Sequence, residues 1–325
     1  MKIAIYGYGN LGRGVEVAVA DNHDAELVGI FTRRTPCEVK SVTGVSVYSA
    51  SSILDFVGKI DALIISCGSA TDLPDLTPAL ARNFTVVDSF DTHSRIPEHF
   101  KRVDSAAREG GNIAVISSGW DPGLLSLARL YFSAALPSGD GYTFWGRGIS
   151  QGHSNAIRRI DGVLDARQYT VPRDEALSLV RSGERPHLRA SDKHIRECYV
   201  VAEDGADRSV IEEKIKNMPD YFLGYDTSVA FITSSKLEAE HSNMSHGGTV
   251  IRNGVTGVDQ ASKHTLELSL TLSSNPEFTG NMLVATARAA YRMKLRGDVG
   301  CKTLFDIPPA DLSLEPPDKI RECYL

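Results

Sequence analysis

No stretch of this 325-residue sequence approaches the roughly 18 consecutive apolar residues that cross a bilayer as a helix, so no membrane-spanning helix is expected. Met1-Lys2 leads straight into an apolar segment, which leaves no charged-then-apolar leader and points to a cytoplasmic protein. An excess of basic residues is missing as well: the formal net charge is -6, and nucleic acid would find no positive surface. Cysteine is scarce and scattered. Cys37, Cys67, Cys198, Cys301 and Cys323 are odd in number and form no C-x-x-C pair, so free thiols are expected rather than a disulfide framework or a metal site. His241 and His246 have no third ligand at a recognisable spacing, and no metal is expected. Repeats, low-complexity tracts and long linkers are absent. What remains is an ordinary globular composition, 42% hydrophobic, enough for a full core and two domains.

The first thing present is a strand running into a glycine turn, Ile3-Ala4-Ile5-Tyr6-Gly7-Tyr8-Gly9-Asn10-Leu11-Gly12. In such a G-x-G-x-x-G segment Gly7 permits the tight turn. Gly9 lets a pyrophosphate approach the backbone, and Gly12 lets the following helix lie close on the strand. The helix N-terminus then faces the phosphates with its free N–H groups and the positive end of its dipole.

The second strand, 25–31, ends in Thr32-Arg33-Arg34 where an NAD site would carry Asp or Glu for the ribose hydroxyls. Two guanidiniums and a hydroxyl suit a 2′-phosphate, so NADP is the expected cofactor; the alternative is a pair of solvated surface arginines.

Strand and helix continue to alternate: a helical piece at 53–57, a buried strand at 61–66, a helix at 76–82, a strand at 85–88, a helix at 96–109 and a strand at 112–116. The loop Cys67-Gly68-Ser69-Ala70-Thr71-Asp72 follows a buried strand, where open α/β sheets bind ligands, and its small residues would admit a ribose or nicotinamide. Cys67 admits two readings, a nucleophile or a small residue packed at a strand end. Two later exits carry Phe90-Asp91 and Trp120-Asp121-Pro122-Gly123. Singly, Asp91 could be a turn residue and Asp121 a helix N-cap. Together they form a pair able to hold a cationic amine over the nicotinamide.

Beyond residue 120 the pattern becomes β-rich, at 141–145, 163–171, 194–202 and 221–233, with helices at 173–181 and 207–217. An antiparallel sheet with helices on one face is expected there. Helices at 260–272 and 276–296 close the chain, the latter with a Leu283, Ala287, Ala290, Lys294 stripe suited to packing on the nucleotide domain. The expected architecture is α/β: a Rossmann-type doubly wound parallel sheet at 1–120, completed by C-terminal helices at about 275–325, and a second α+β domain for substrate binding and dimerisation at 121–274.

These residues resemble the meso-diaminopimelate D-dehydrogenases over nearly the whole chain, with the last twenty or so residues matching weakly. The resemblance rests on the glycine motif, on Phe31-Thr32-Arg33-Arg34, on Gly68-Ser69-Ala70-Thr71-Asp72, and on Gly119-Trp120-Asp121-Pro122-Gly123. Further on it rests on Phe144-Trp145-Gly146, Ser150-Gln151-Gly152-His153-Ser154, Met218-Pro219-Asp220-Tyr221-Phe222 and His246-Gly247-Gly248. Asn155 departs from the family pattern, where Asp is expected.

The resemblance implies reductive amination of L-2-amino-6-oxopimelate with ammonia and NADPH, and the reverse, in the supply of lysine and cell-wall precursors. It implies that Asp91 and Asp121 grip the amino group at the D-centre. Trp120, Trp145, Gln151 and Gly152 would shape that end of the pocket. Thr170, Arg196 and His246, joined by Asn275, would hold the distal carboxylate. Gly7, Tyr8, Gly9, Asn10, Leu11, Gly12, Thr32, Arg33 and Arg34 are expected to carry the nucleotide, with Cys67 to Asp72, Phe90, Asp91, Asp121, Pro122 and Gly123 at the nicotinamide end. Arg196 lies among apolar neighbours, so either a substrate carboxylate or an internal Asp must compensate it. His153 is a candidate proton acceptor by type, or a structural histidine. A reductase of the homoserine dehydrogenase kind and a non-catalytic NADP sensor are the competing readings. A homodimer through the β-rich domain is expected.

Overall fold

The computed structural model describes residues 1–325, which form two compact units, Met1–Leu127 with Pro276–Leu325, and Ala128–Asn275. The first unit opens with β1 (Lys2–Tyr6), α1 (Asn10–Ala20), β2 (Glu26–Thr32), β3 (Val47–Ser49) and β4 (Ala62–Ile65). It continues through α2 (Leu73–Ala81), β5 (Val86–Asp88), α3 (Ile96–Glu109) and β6 (Ile113–Val115). Its strands read as unbroken apolar runs because both faces are covered. Ile3, Ile5, Ile30 and Ile64 pack with Val15 and Ala18 of α1, while Ala4, Phe31, Leu63 and Ile65 pack with Leu73 of α2 and Val103 of α3.

Helix α4 (Leu124–Ala135) contains the boundary, between Leu127 and Ala128, seven residues beyond the expected one. The reason is local. Gly119 donates to the Pro122 carbonyl (3.0 Å), Leu124 donates back to Gly119 (3.1 Å) and Leu125 to Trp120 (2.8 Å), so 119–125 folds as one knot at the end of β6.

The second unit contains β7 (Gly139–Trp145), β8 (Gly148–Ile149), α5 (Gln151–Arg158), β9 (Val163–Pro172), α6 (Asp174–Arg181) and the single turn α7 (Ala190–Lys193). After these come β10 (His194–Ala202), α8 (Arg208–Lys216), β11 (Thr227–Phe231), α9 (Ser234–His241), β12 (His246–Thr256) and β13 (Ser262–Leu272). They build two sheets rather than one antiparallel sheet, in the orders β11-β10-β9-β8 and β13-β12-β7. The first is mixed: β10 and β11 are parallel, because α8 carries the chain back across the sheet between them. Ile157 of α5 and Ile211 and Ile215 of α8 cover Ala166, Cys198 and Val200 on one of its faces.

Two segment expectations are corrected here. Residues 262–272 form a strand, not a helix: Leu266, Leu268, Leu270 and Leu272 recur with a period of two, between Ser, Thr and Glu, and pair in unbroken register with β12, itself not anticipated. The expected strand at 221–233 shrinks to Thr227–Phe231, since Phe222, Leu223 and Tyr225 are tied into turns that bury Phe222.

The chain then returns to the first unit through α10 (Asn275–Leu295) and β14 (Gly300–Lys302), closing a seven-stranded all-parallel sheet of order β14-β6-β5-β4-β1-β2-β3. Leu283, Ala287 and Ala290 of α10 are fully buried, as their spacing implies. Helix α1 touches α10 backbone to backbone, for a Cβ on Gly14 would sit 2.4 Å from the Pro276 carbonyl oxygen. No helix is long and apolar enough to cross a membrane.

Candidate active site

In the parallel sheet the strand order reverses between β1 and β4, so the loops leaving these two strands flank the crevice where such sheets take ligands. Gly7 has φ +95°, and a Cβ there would lie 2.6 Å from Cys67 Sγ. A Cβ on Gly12 would lie 2.5 Å from the Gly7 carbonyl oxygen, while one on Gly9 would meet nothing within 4 Å. Two glycines are thus demanded by packing, and the third faces open space beside the start of α1, at Asn10 and Leu11. That is what a pyrophosphate on a helix N-terminus requires. Burial pushes the Cys67 thiol up to about 11, so it is protonated at neutral pH and unsuited to be a nucleophile.

Around the expected 2′-phosphate position, Arg33 makes a two-pronged pair with Asp72 (2.9 Å on each prong), and Asp72 also accepts from the Gly68 N–H (3.0 Å). Asp72, whose carboxyl Arg33 holds below its usual range, thereby fixes the loop with Ser69, Ala70 and Thr71 while steering Arg33. The Arg33 side chain is 62% exposed and so remains open to a ligand. Arg34 donates to the Tyr8 carbonyl, and its own N–H donates to Thr32 Oγ1 (3.1 Å). Thr32 is buried, and its hydroxyl braces this turn by accepting from Arg34.

Asp91 and Asp121 follow the adjacent parallel strands β5 and β6, on the same sheet edge as the glycine cradle. The hydroxyl of Ser69 donates to Asp91 Oδ1 (2.5 Å) and accepts from the Asp91 N–H (2.9 Å), which ties the β4 exit to the β5 exit. Phe90 is wholly buried, its ring stacked on His99 at 4.2 Å, so it can offer a nucleotide only main-chain atoms. Trp120 and Gly123 are buried within the 119–125 knot, and Asp121-Pro122 is a cis peptide. Gly123 has φ +139° and admits no side chain, since a Cβ would meet the Gly119 carbonyl oxygen at 1.8 Å.

In the second unit Thr170 and Arg196 are register partners on β9 and β10, and Gly148 of β8 pairs with Thr170 from the other side. A Cβ on Gly148 would strike the His246 ring at 2.3 Å, so this glycine admits His246 next to Thr170 and Arg196. Arg196 is 9% exposed; Nη1 donates to Thr170 Oγ1 and the guanidinium lies 4.2 Å over the Tyr225 ring. No carboxylate pairs with it, so of the two compensations open to the sequence the internal Asp is ruled out. Asn275 donates its N–H to the Met244 carbonyl (2.8 Å). Trp145 stacks on His194 (5.3 Å), whose Nε2 accepts from the Trp145 N–H (2.8 Å). Gln151 and Gly152 are exposed in the first turn of α5. Nδ1 of His153 shares a 2.5 Å hydrogen bond with Ser150 Oγ, and burial holds the ring neutral, down to about 4. No cluster of His, Cys, Asp or Glu is placed to hold a metal ion.

Sequence reasoning passed over Asp88, His194 and Gln168. Asp88 had a signal, a carboxylate closing the apolar run Val86-Val87, but a strand end seldom says whether its acid is buried. The other two sit within strands whose pairing only the fold supplies.

A doubly wound sheet with a glycine cradle, arginines at the second strand and paired acids at later strand ends defines a dinucleotide-dependent oxidoreductase. The family described as "Diaminopimelic acid dehydrogenase C-terminal domain" matches residues 119–274. The chain is 54% identical over 326 residues to the meso-diaminopimelate D-dehydrogenase of Acetivibrio thermocellus, covering 100% of this chain and 98% of that protein. It superposes on the Corynebacterium glutamicum DAP dehydrogenase in complex with DAP with a TM-score of 0.94 at 42% identity, covering 100% and 99% of the two chains. An engineered D-amino acid dehydrogenase bound to NADP+ gives a TM-score of 0.90 at 41% identity, again over 100% and 99%. The chain belongs to the meso-diaminopimelate D-dehydrogenase family.

Proposed function

We propose that this chain catalyses the reversible, NADP-dependent oxidative deamination of the D-centre of meso-2,6-diaminopimelate to L-2-amino-6-oxopimelate and ammonia, in lysine and cell-wall precursor biosynthesis. The observation that carries the reading is the placement of Asp91 and Asp121 at neighbouring strand exits on the edge that bears the glycine cradle. The cradle fits NADP: Gly9 opens toward the α1 N-terminus, Arg33 and Arg34 await a 2′-phosphate, and the 67–72 loop leaves β4 on the same side of the sheet. Bound there, NADP+ supplies the acceptor for the hydride of the D-centre C–H bond.

The protein's part is to bind, orient and stabilise. Asp91 and Asp121 take the substrate ammonium; once it has lost one proton to solvent, they stabilise the iminium charge that develops as the hydride leaves the neutral amine's carbon. Ser69 holds Asp91 in place for this. Trp120, Trp145, Gln151 and Gly152 are assigned to the same end of the substrate. Water adds to the iminium carbon, and ammonia departs. Thr170, Arg196, His246 and Asn275 are assigned to the distal carboxylate, which Arg196 needs in order to balance its buried charge. A diacid with opposite configurations at its two ends must be held at both for one centre alone to react.

The same reading makes the protein cytoplasmic and a homodimer. Edge strand β13, with half-buried leucines at 266, 268 and 270, supports a second copy at that surface. Light scattering that returns a monomer at micromolar concentration would overturn the dimer.

The function is tested by NADP reduction with meso-, L,L- and D,D-diaminopimelate supplied separately. Activity confined to the meso isomer is expected; equal rates with all three, or none despite NADP binding, overturn the reading. Asp121→Asn is expected to lower turnover at least about 100-fold while leaving NADPH affinity unchanged, and wild-type turnover would remove Asp121 from the site.

A further inference from the structure

Strand β9 carries a buried side chain whose polar atoms nothing in the protein satisfies. Gln168 is 0% exposed, and neither Oε1 nor Nε2 has a hydrogen-bond partner. Its main chain is fully engaged, the N–H donating to Ser154 Oγ (3.0 Å) and the carbonyl accepting from the Ser150 N–H (2.9 Å). A primary amide brings two donors and an acceptor into the interior, each unfavourable when left unmade. Leucine or methionine would fill the same volume without that cost, so an amide here points to a polar occupant.

Its neighbours say which. The antiparallel register pairs Thr170 with Arg196 and Gln168 with Cys198. Residues two apart on a strand share a face, so Gln168 stands beside Thr170 and diagonal to Arg196. Arg196 also has an unmet atom, Nε, and no carboxylate to balance it. Unmet donors on both side chains and an unmet acceptor on one of them therefore share one sheet face. A carboxylate would answer the donors only. An amino-acid head group answers all three, its carboxylate facing Arg196 Nε and Gln168 Nε2 and its ammonium donating to Gln168 Oε1.

We propose that Gln168 is a substrate-contacting residue of the distal subsite, reading the ammonium of the L-centre through its amide oxygen. The proposal rests on the assignment of Arg196 and Thr170 to the distal carboxylate. Arg196 then recognises that the far end is an acid, and Gln168 that it is an amino acid. The enzyme thereby prefers a diamino diacid over a diacid with one amino group.

The test uses the full-length enzyme saturated with NADPH, which binds meso-diaminopimelate without turning it over because cofactor and substrate are both reduced. Calorimetry gives Kd for meso-diaminopimelate and for D-2-aminopimelate, which has the same carbon chain and carboxylates but no distal amino group. Gln168→Met is expected to weaken meso-diaminopimelate about tenfold and D-2-aminopimelate less than about threefold, with NADPH affinity unchanged. Its Tm should equal or exceed that of the wild type, because the unmet amide is gone. Arg196→Met is expected to weaken both ligands. If Gln168→Met changes neither Kd, or weakens both alike, the proposal is overturned while Arg196 keeps its role; if Arg196→Met spares both ligands, the distal assignment falls and the proposal with it. Should Gln168→Met fail to fold, Gln168→Leu carries the same expectations.

Discussion

Asp88 and His99 meet in the interior of the nucleotide unit, Oδ2 to Nε2 at 2.9 Å, with neither residue more than 3% exposed. The same carboxylate accepts from Thr77 Oγ1 (2.7 Å), from the Phe90 N–H (3.0 Å) and from the Ser117 N–H (3.0 Å). One side chain thus joins α2 and α3 to the exits of β5 and β6, the two loops that carry Asp91 and Asp121. Asp88→Ala would strand four buried donors and is expected to lose about 3 kcal/mol of stability in a urea melt. In the fraction that remains folded, kcat/KM for meso-diaminopimelate should fall at least about tenfold. An unchanged kcat/KM would show that the loops hold their geometry without it.

The arginines after β2 should decide the choice of cofactor. Replacing Arg33 and Arg34 together by Ala is expected to raise KM for NADP by more than about tenfold and KM for NAD by less than about threefold, because only NADP carries the 2′-phosphate they would pair with. Steady-state kinetics with both nucleotides measures it, and equal effects would remove these residues from the phosphate site.

The buried imidazole of His194 predicts a pH dependence of stability. Burial lowers it from about 6.5 to about 4, and its Nε2 is occupied as an acceptor by the Trp145 N–H. Between these values the unfolded chain binds the proton and the folded chain does not, so protonation favours unfolding. The contribution is complete above about pH 6.5, is lost at about 1.4 kcal/mol per unit as pH falls, and levels off below about pH 4. His194→Gln should flatten this part of a plot of unfolding free energy against pH; an identical slope would assign it to other groups.

Arg288 ties α10 to the turn before β2 through Asp24 Oδ2 (2.6 Å) and Asn22 Oδ1 (2.6 Å). Its hydrogen bond is the largest cause holding the Asp24 carboxyl below its usual range. Arg288→Met is expected to cost about 2 kcal/mol at neutral pH, less than a fully buried pair because Asp24 is 28% exposed. A folded-state carboxyl held low stabilises above the unfolded-state value and loses that contribution as pH falls, so the gap between variant and wild type should narrow below about pH 4. A gap independent of pH would mean that the loss is one of packing alone.

The local chemistry of this protein is legible in its residues. Gly7, Gly9 and Gly12 announce a cradle because only glycine tolerates those backbone approaches, and Thr32-Arg33-Arg34 announces the cofactor because a carboxylate is missing where NAD would need one. The Leu283, Ala287, Ala290 stripe announces a packed helix for the same local reason. Pairing is what the residues could not state. Residues 262–272 carry a strand period of their own in Leu266, Leu268, Leu270 and Leu272, but not the register with β12 that fixes their place in the sheet. Asp88 and Gln168 read as an acid and an amide on strands. Only the fold shows that four donors from four segments converge on the first, and that nothing within the chain answers the second. Hydrogen-bond satisfaction belongs to neighbours distant in sequence, and so it was decided by the tertiary structure alone.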